Sequence, residues 1–469
     1  MILKSIQEMH FRLCNICLIT LSCMISTVST GQELAGDDSV LYTGARLVLG
    51  DGSLLDNGAI LVRNEHIVAV AEQGSIEVPD TVTTIQLAGK TVTPAFIDAH
   101  AHLGYEGYGS WGAANYTREN LISHLNHYAY YGFGAVFSAG SDPDELALEL
   151  QQEQLQGEVG GARFLFAAGM APVGQGPNNQ FLGHALAVEQ ETQMTVLRGV
   201  DSPEQVDFAI KEVAAKGIPF VKIWVDDRGG SQRKLQPELY RLIINAARDE
   251  NIKVFAHQQF IADMSPLLEA GVSGFLHGRL GAELDENLAA QLKNSNTFLI
   301  PNLGIGELRN ERVADDPFLQ ETLHPSIVEH LAAGFDRRPA APPNPQRERQ
   351  MQAAMQVLLD AGVDVVLGTD AGAVPDHLFG YTGHRELEIF VRLGMTPMQA
   401  IIAATSAPAR HLGLDESGML APGMRADFVV FDADPTADIS NSRTISAVYL
   451  GGKQVDRGAL RRQWSGTSP

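Results

Sequence analysis

Residues 91–104 read Thr-Val-Thr-Pro-Ala-Phe-Ile-Asp-Ala-His-Ala-His-Leu-Gly, an apolar run that delivers His100 and His102 two positions apart. In a β-strand, residues i and i+2 project to one face. Both imidazoles can then reach one point in space, as two ligands of a single metal ion must. A His-x-His pair also arises by chance as a polar strand end, so its meaning depends on what the rest of the chain sets beside it.

From Thr93 onward, short apolar runs alternate with helical stretches, the pattern of repeated βα units and a parallel sheet. The candidate strands are 95–103, 134–139, 163–168, 219–225, 253–257, 274–277, 297–301 and 363–369. Eight such units predict a (β/α)8 TIM barrel over 93–420, with its active site at the C-terminal strand ends. Stretches 203–215, 236–250 and 353–361 carry the apolar stripe of the intervening helices. Two long excursions, 171–200 and 304–349, follow strands and would sit over the catalytic face as lids or binding loops.

On either side of this region the pattern changes to short alternating strands with Gly and Asp turns, over 40–92 and again over 421–460. Neither piece is large enough for a core of its own. Together they predict one small β-sandwich domain built from both termini.

The chain has 469 residues, 45% of them apolar, and a formal charge of −22. Such a composition fits a globular enzyme and argues against nucleic acid or an anionic membrane as partner. Residues 1–30 have the order of a secretory signal, with Lys4 and Arg12 followed by an apolar run and then small residues. The expected mature protein is secreted or periplasmic and free of the membrane. All three cysteines (Cys14, Cys17, Cys23) lie in that segment, so a cysteine nucleophile is excluded in the mature chain.

Read strand by strand, the C-terminal ends carry His100 and His102, then Lys222, His257, His277 and Asp370. Any one of these is readily a core residue. Six nitrogen and oxygen ligand types at the ends of five strands are not, because buried ionisable groups are costly unless paired or bound to metal.

Here the sequence resembles the amidohydrolase superfamily. Pro94-Ala-Phe-Ile-Asp-Ala-His-Ala-His is similar to that family's opening metal motif, and Gly368-Thr-Asp-Ala-Gly to its closing one. His384-Arg-Glu-Leu-Glu, Met395-Thr-Pro-Met-Gln-Ala and Gly418-Met-Leu-Ala-Pro-Gly-Met-Arg-Ala-Asp resemble the branch of imidazolonepropionases and metal-dependent prolidases. The lysine in Val221-Lys-Ile departs from imidazolonepropionase and is similar to the binuclear dipeptidases and ochratoxin-type amidases. The resemblance implies a carbamylated Lys222 bridging two divalent metal ions, by default zinc. His100, His102 and Asp370 would hold one ion, His257 and His277 the other, with a hydroxide between them. Asp370 would act as the catalytic proton acceptor.

The implied activity is metal-dependent hydrolysis of an amide-type bond in a small molecule, with a dipeptide or N-acyl amino acid as the expected substrate. A cyclic amide, carbamate, lactone or ester is the alternative, since the same attack cleaves each. A non-catalytic interaction protein on the same fold is disfavoured by the intact ligand set. Tyr105, with Tyr108 and Trp111, could wall the substrate; Arg228 could pair with a substrate carboxylate or with Asp226 and Asp227; His384 and Glu386 could touch substrate or the ligands. A homo-oligomer is left open.

Overall fold

Buried parallel strands read as continuous apolar runs because both faces are covered, and the central strands here do so. Phe96–Ala101, Phe220–Val225, Gly274–Leu276 and Phe298–Ile300 are buried at every position. The structure, a computed structural model, describes residues 39–338 and 341–466. The leader expected over 1–30 lies outside the described residues. Among the described residues no helix is long and apolar enough to cross a membrane.

The central strands form two parallel sheets. One has three strands in the order Phe96–Ala101, Phe133–Ser138, Arg163–Phe166. The other has six, in the order Leu197–Gly199, Ala168–Ala171, Phe220–Val225, Lys253–Gln258, Gly274–Leu276, Phe298–Ile300. The expected 163–168 strand is thus divided at Ala167, with one part in each sheet.

The expected strand 363–369 is not a continuous ladder. Val365 bridges Leu299, and Ala371 bridges Ala101. Hydrogen bonds from this segment nevertheless reach both sheets: Leu299 donates to Asp364 O and Val366 to Leu299 O on one side, and Ala99 donates to Leu367 O and Asp370 to His100 O on the other. Side chains from both sheets and from Val366 share one core, which includes Ile97, Phe137, Leu165, Phe220, Phe255 and Phe298. Phe137 meets Phe220 and Phe255 edge-on at ring distances of 5.2 and 5.4 Å. Strand alternation places Phe220 and Phe255 on the same faces as Lys222 and His257. The polar ends of these strands therefore stand directly above an aromatic floor.

Helices pack outside. Pro203–Ala215 begins with Ser202 accepting from Gln205 N and a proline in its first turn, a standard N-cap arrangement. The expected loop 304–349 is largely helical, with helices at Gly304–Glu307, Pro317–Gln320 and Pro325–Asp336, and the start of Pro345–Ala361. The excursion 171–200 likewise holds the helix Asn179–Thr192. Strands from the two ends of the chain join in a single eight-stranded sheet. Phe428–Phe431 runs antiparallel to Thr91–Pro94, and Thr91–Pro94 runs parallel to Ser39–Val48.

Candidate metal centre

His100 is fully buried and His102 nearly so. One ring nitrogen of each, with a carboxylate oxygen of Asp370, lies within 4.8 Å of the others. Asp370 Oδ1 is 3.4 Å from His100 Nε2 and 3.2 Å from His102 Nε2, and Oδ2 is 3.4 Å from His277 Nε2. Oδ1 is buried yet has no hydrogen-bond partner among the described residues. An orphaned carboxylate oxygen between two imidazole nitrogens is costly as it stands and becomes a satisfied ligand once a cation sits among them.

The neighbours fix which ring nitrogen each histidine offers. Asn302 donates its Nδ2 to Gly368 O and takes the backbone N–H of His277 on Oδ1. That same Oδ1 lies 3.1 Å from His100 Nδ1, so Nδ1 carries the proton and Nε2 presents a lone pair. Ser141 Oγ stands 2.8 Å from His102 Nδ1 and orients that ring with its Nε2 towards Asp370. Partners of this kind orient metal-binding imidazoles. Burial first, reinforced by neighbouring cations, holds His100 and His257 well below the usual imidazole range. His277 is also held well below it by burial, against the pull of Asp370. The rings are neutral, as ligands must be.

Asp98 clasps the first motif to the last. Its Oδ1 accepts from the backbone N–H of His100 and of Thr369, and its Oδ2 from the hydroxyls of Tyr128 and Thr369. Beyond Thr369 the backbone turns left-handed at Asp370 (φ 60°), and it does the same at Asn302 (φ 48°) and His277 (φ 77°). Non-glycine residues in this region are uncommon and carry strain that clusters at functional sites.

Lys222 is fully buried, with Nζ 3.3 Å from His100 Nε2. Burial pushes its ammonium down to about 7, with Asp370 opposing and Arg228 adding to the effect. Gly140, at φ 83°, leaves the room it needs, since a Cβ there would stand 2.8 Å from Lys222 Cβ. Burial would raise the Asp370 carboxyl, but His277, His102 and Lys222 together hold it below the usual carboxylate range.

A family profile described as "Amidohydrolase family" matches residues 91–455. The chain belongs to the amidohydrolase family. It is a hydrolase of the class that acts on carbon–nitrogen bonds. This amidohydrolase is 28% identical over 436 residues to an imidazolonepropionase of Streptomyces griseus, covering 87% of this chain and 95% of the relative. An imidazolonepropionase of Geobacillus kaustophilus is 25% identical over 437 residues, covering 87% and 92%. The solved structure of a Xaa-Pro dipeptidase with methionine bound in its active site superposes with a TM-score of 0.67 at 23% identity, covering 89% of this chain and 99% of that one. A molinate hydrolase superposes at 0.71 with 21% identity, covering 90% and 96%.

The remaining expected site residues divide. His277 and Lys222 join His100, His102 and Asp370. His257 stands beside them, its ring 4.4 Å from that of His277, but its Nε2 is 3.0 Å from Asp226 Oδ2. Arg228 pairs with Asp226 at 2.8 Å, the local pairing rather than a free cation, while its Nε has no partner among the described residues. His102, Lys222, Arg228, His257, His277 and Asp370, together with Phe181, Trp224 and Arg279, line a cavity of about 240 Å³.

Two expected substrate contacts do not reach that cavity. Tyr105 is fully buried and donates to Ser141 O at 2.8 Å, so it supports the residue behind His102. His384 is fixed between Ser442 Oγ and Tyr131 O and packed edge-on to Phe96 and Phe133. The apolar setting that makes it a good packing residue keeps it from the pocket. The aromatics that do face the cavity are Trp224 and Phe181, the ring of Phe181 5.0 Å from His102 and 5.4 Å from Trp111.

Sequence reasoning passed over Asn302, Ser141 and Asp98. Asn302 had a usable signal, because it follows the 297–301 apolar run at the position where other strands place a ligand. Ser141 had none.

Proposed function

We propose that this amidohydrolase is a metal-dependent hydrolase of a peptide-like or N-acyl amino acid amide. The observation that carries the reading is the buried, unbonded Oδ1 of Asp370 between the Nε2 atoms of His100 and His102. These three residues would hold one divalent ion, and His257 and His277 a second, with zinc the default for imidazole and carboxylate donors. Asp226 sets an anionic oxygen beside the second pair. When bound, the ions would supply an acidified water and a polarised amide carbonyl. Lys222 would link the two sets as a carbamate: its neutral amine adds to the carbon of CO2, an N–C bond forms, and one N–H proton leaves to solvent. The lysine is neutral enough for this because it is buried, and it lies against His100.

Asp370 is held ionised; with Oδ1 given to an ion, its Oδ2 would be the oxygen to accept the proton of the attacking water and return it to the leaving amine. Asn302 holds His100 in one tautomer, Ser141 orients His102, and Asp98 keeps the opening and closing motifs in register. The relatives named as imidazolonepropionases and as a Xaa-Pro dipeptidase support carbon–nitrogen bond cleavage in a small molecule. The two parallel sheets and the segment 364–371 between them support a closed eight-stranded barrel with a small domain from both termini. Export directed by residues 1–30 completes the reading.

The test is hydrolysis of a panel of dipeptides and N-acyl amino acids before chelation, after chelation, and after return of zinc, manganese or cobalt. Amide turnover that is lost and then restored supports the proposal. Turnover of lactones or esters with none of any amide would replace it.

A further inference from the structure

The cavity above the metal centre continues into a second, much larger groove of about 1010 Å³. The two share Gln259, Arg279, Pro301, Asn302 and Ile305 as common walls. Four arginines line this path, Arg392 among them. Arg228 lies in the inner cavity, Arg279 on the shared wall and Arg347 on the outer one. Arg392, on the wall of the same groove, is tied to Glu307 and Glu348, and Arg385 nearby to Glu311.

Arg279 differs. Among the described residues its side chain makes no ion pair and donates to a neutral amide, Gln259 Oε1, at 2.7 Å. Arg347 has no ion pair or side-chain hydrogen bond among the described residues. Asp226 is committed to Arg228 and His257. Glu283, also on the outer wall, makes no ion pair among the described residues, which leaves one exposed carboxylate against two unpaired guanidinium groups. In a chain of net charge −22, two guanidinium groups without a carboxylate partner along one groove suit an occupant of opposite sign.

We infer that Arg279, assisted by Arg347, is the recognition point for a carboxylate on the substrate, which selects amides bearing a free carboxylate over their neutral counterparts. This rests on the amide-hydrolase reading above and narrows its substrate class. The chemistry is that of a planar fork: a guanidinium offers two parallel N–H donors to the two oxygens of a carboxylate. A neutral carboxamide in that place leaves a charged donor unmatched, and sites built for one polar partner reject the analogue lacking it. Arg279 is set between the reacting centre and the open groove, so the carboxylate would lie on the groove side of the scissile bond. Phe260, Ile261 and Leu280 beside it offer apolar surface to the adjoining side chain.

The test is calorimetric titration of the zinc-loaded full chain with N-acetyl-L-leucine and with N-acetyl-L-leucinamide, repeated on Arg279→Gln and Arg347→Gln. Arg279 is exposed, so both variants are expected to fold, which circular dichroism checks. The wild type should bind the carboxylate about 10- to 100-fold more tightly than the carboxamide. Arg279→Gln should abolish that preference, and Arg347→Gln should reduce it by about 2- to 5-fold, more at low salt. Equal affinities in the wild type would overturn the inference. So would a preference that survives Arg279→Gln, which would place the carboxylate on the metal ions instead. Turnover serves as a separate readout: a carboxylate preference without hydrolysis of any amide would count against the amide-hydrolase reading and leave the anion site standing.

Discussion

Asn302 Oδ1 lies 3.1 Å from Nδ1 of His100. One amide side chain, following the Phe298–Ile300 strand, thereby fixes the tautomer of a histidine on another strand, and the same oxygen takes the N–H of His277. Asn302→Ala should weaken metal binding by about 10- to 100-fold, the usual range for loss of such a partner. It should also cost about 1–3 kcal/mol of stability for the unpaired His277 N–H. Competitive titration against a chromophoric chelator reads the first and denaturant unfolding the second. Unchanged affinity would remove Asn302 from the site.

Asp98 gathers four donors with no exposure to solvent. Asp98→Asn replaces one acceptor oxygen with a donor that faces other donors. The expected result is a loss of about 1–3 kcal/mol together with weaker metal retention on dialysis, because the clasp sets Asp370 against His100. A variant with lower stability but full metal content would show that the clasp serves folding alone.

Phe181 brings the excursion 171–200 to the metal cavity, and it is 1% exposed. Phe181→Ala should cost about 3–5 kcal/mol in unfolding experiments and raise KM more than it lowers kcat, since the ring borders substrate space without reaching the reacting atoms. Equal loss in both constants would indicate that Phe181 instead holds His102 in place.

Glu386 is fully buried and accepts the N–H groups of Leu303 and Gly304, at 2.8 and 2.7 Å. Burial nonetheless raises its carboxyl to about 8 from an ordinary 4.5. The folded protein therefore keeps a proton that the unfolded chain releases from about pH 4.5 upward. The stabilising contribution is complete below that pH and is lost as pH rises through about 8, at up to about 1.4 kcal/mol per pH unit. Urea midpoints should fall between about pH 5 and pH 8 in the wild type and fall less in Glu386→Gln. Parallel profiles would show that Glu386 is ionised throughout.

Much of this was legible in the sequence because strand ends are legible. An apolar run ending in histidine, lysine or aspartate marks both the strand and the direction of its last side chain, which is how His100, His102, Lys222, His277 and Asp370 could be grouped. The 363–369 run was harder. Its apolar residues predict a strand, yet Gly368 allows close approach to Ile300 and His100, and the segment hydrogen-bonds alternately to two sheets in place of a continuous ladder. His384 shows the opposite limit. Its position in a familiar motif suggested the site, but packing between Phe96 and Phe133 is a tertiary fact that spacing does not carry. Asn302 and Ser141 act through histidines 202 and 39 residues away in the chain, and no local pattern encodes such a pairing. Arg279 was hidden for a related reason, because an unpaired arginine is recognised only when its surroundings are known.

The most direct test of the account is the metal content per chain, by elemental analysis, of the wild type and of Lys222→Ala. The account predicts about two ions per wild-type chain, a lower content in the variant, and partial recovery when a small carboxylate replaces the missing carbamate. One ion in both proteins, with amide hydrolysis unchanged, would contradict it and leave Lys222 a structural residue beside a mononuclear site.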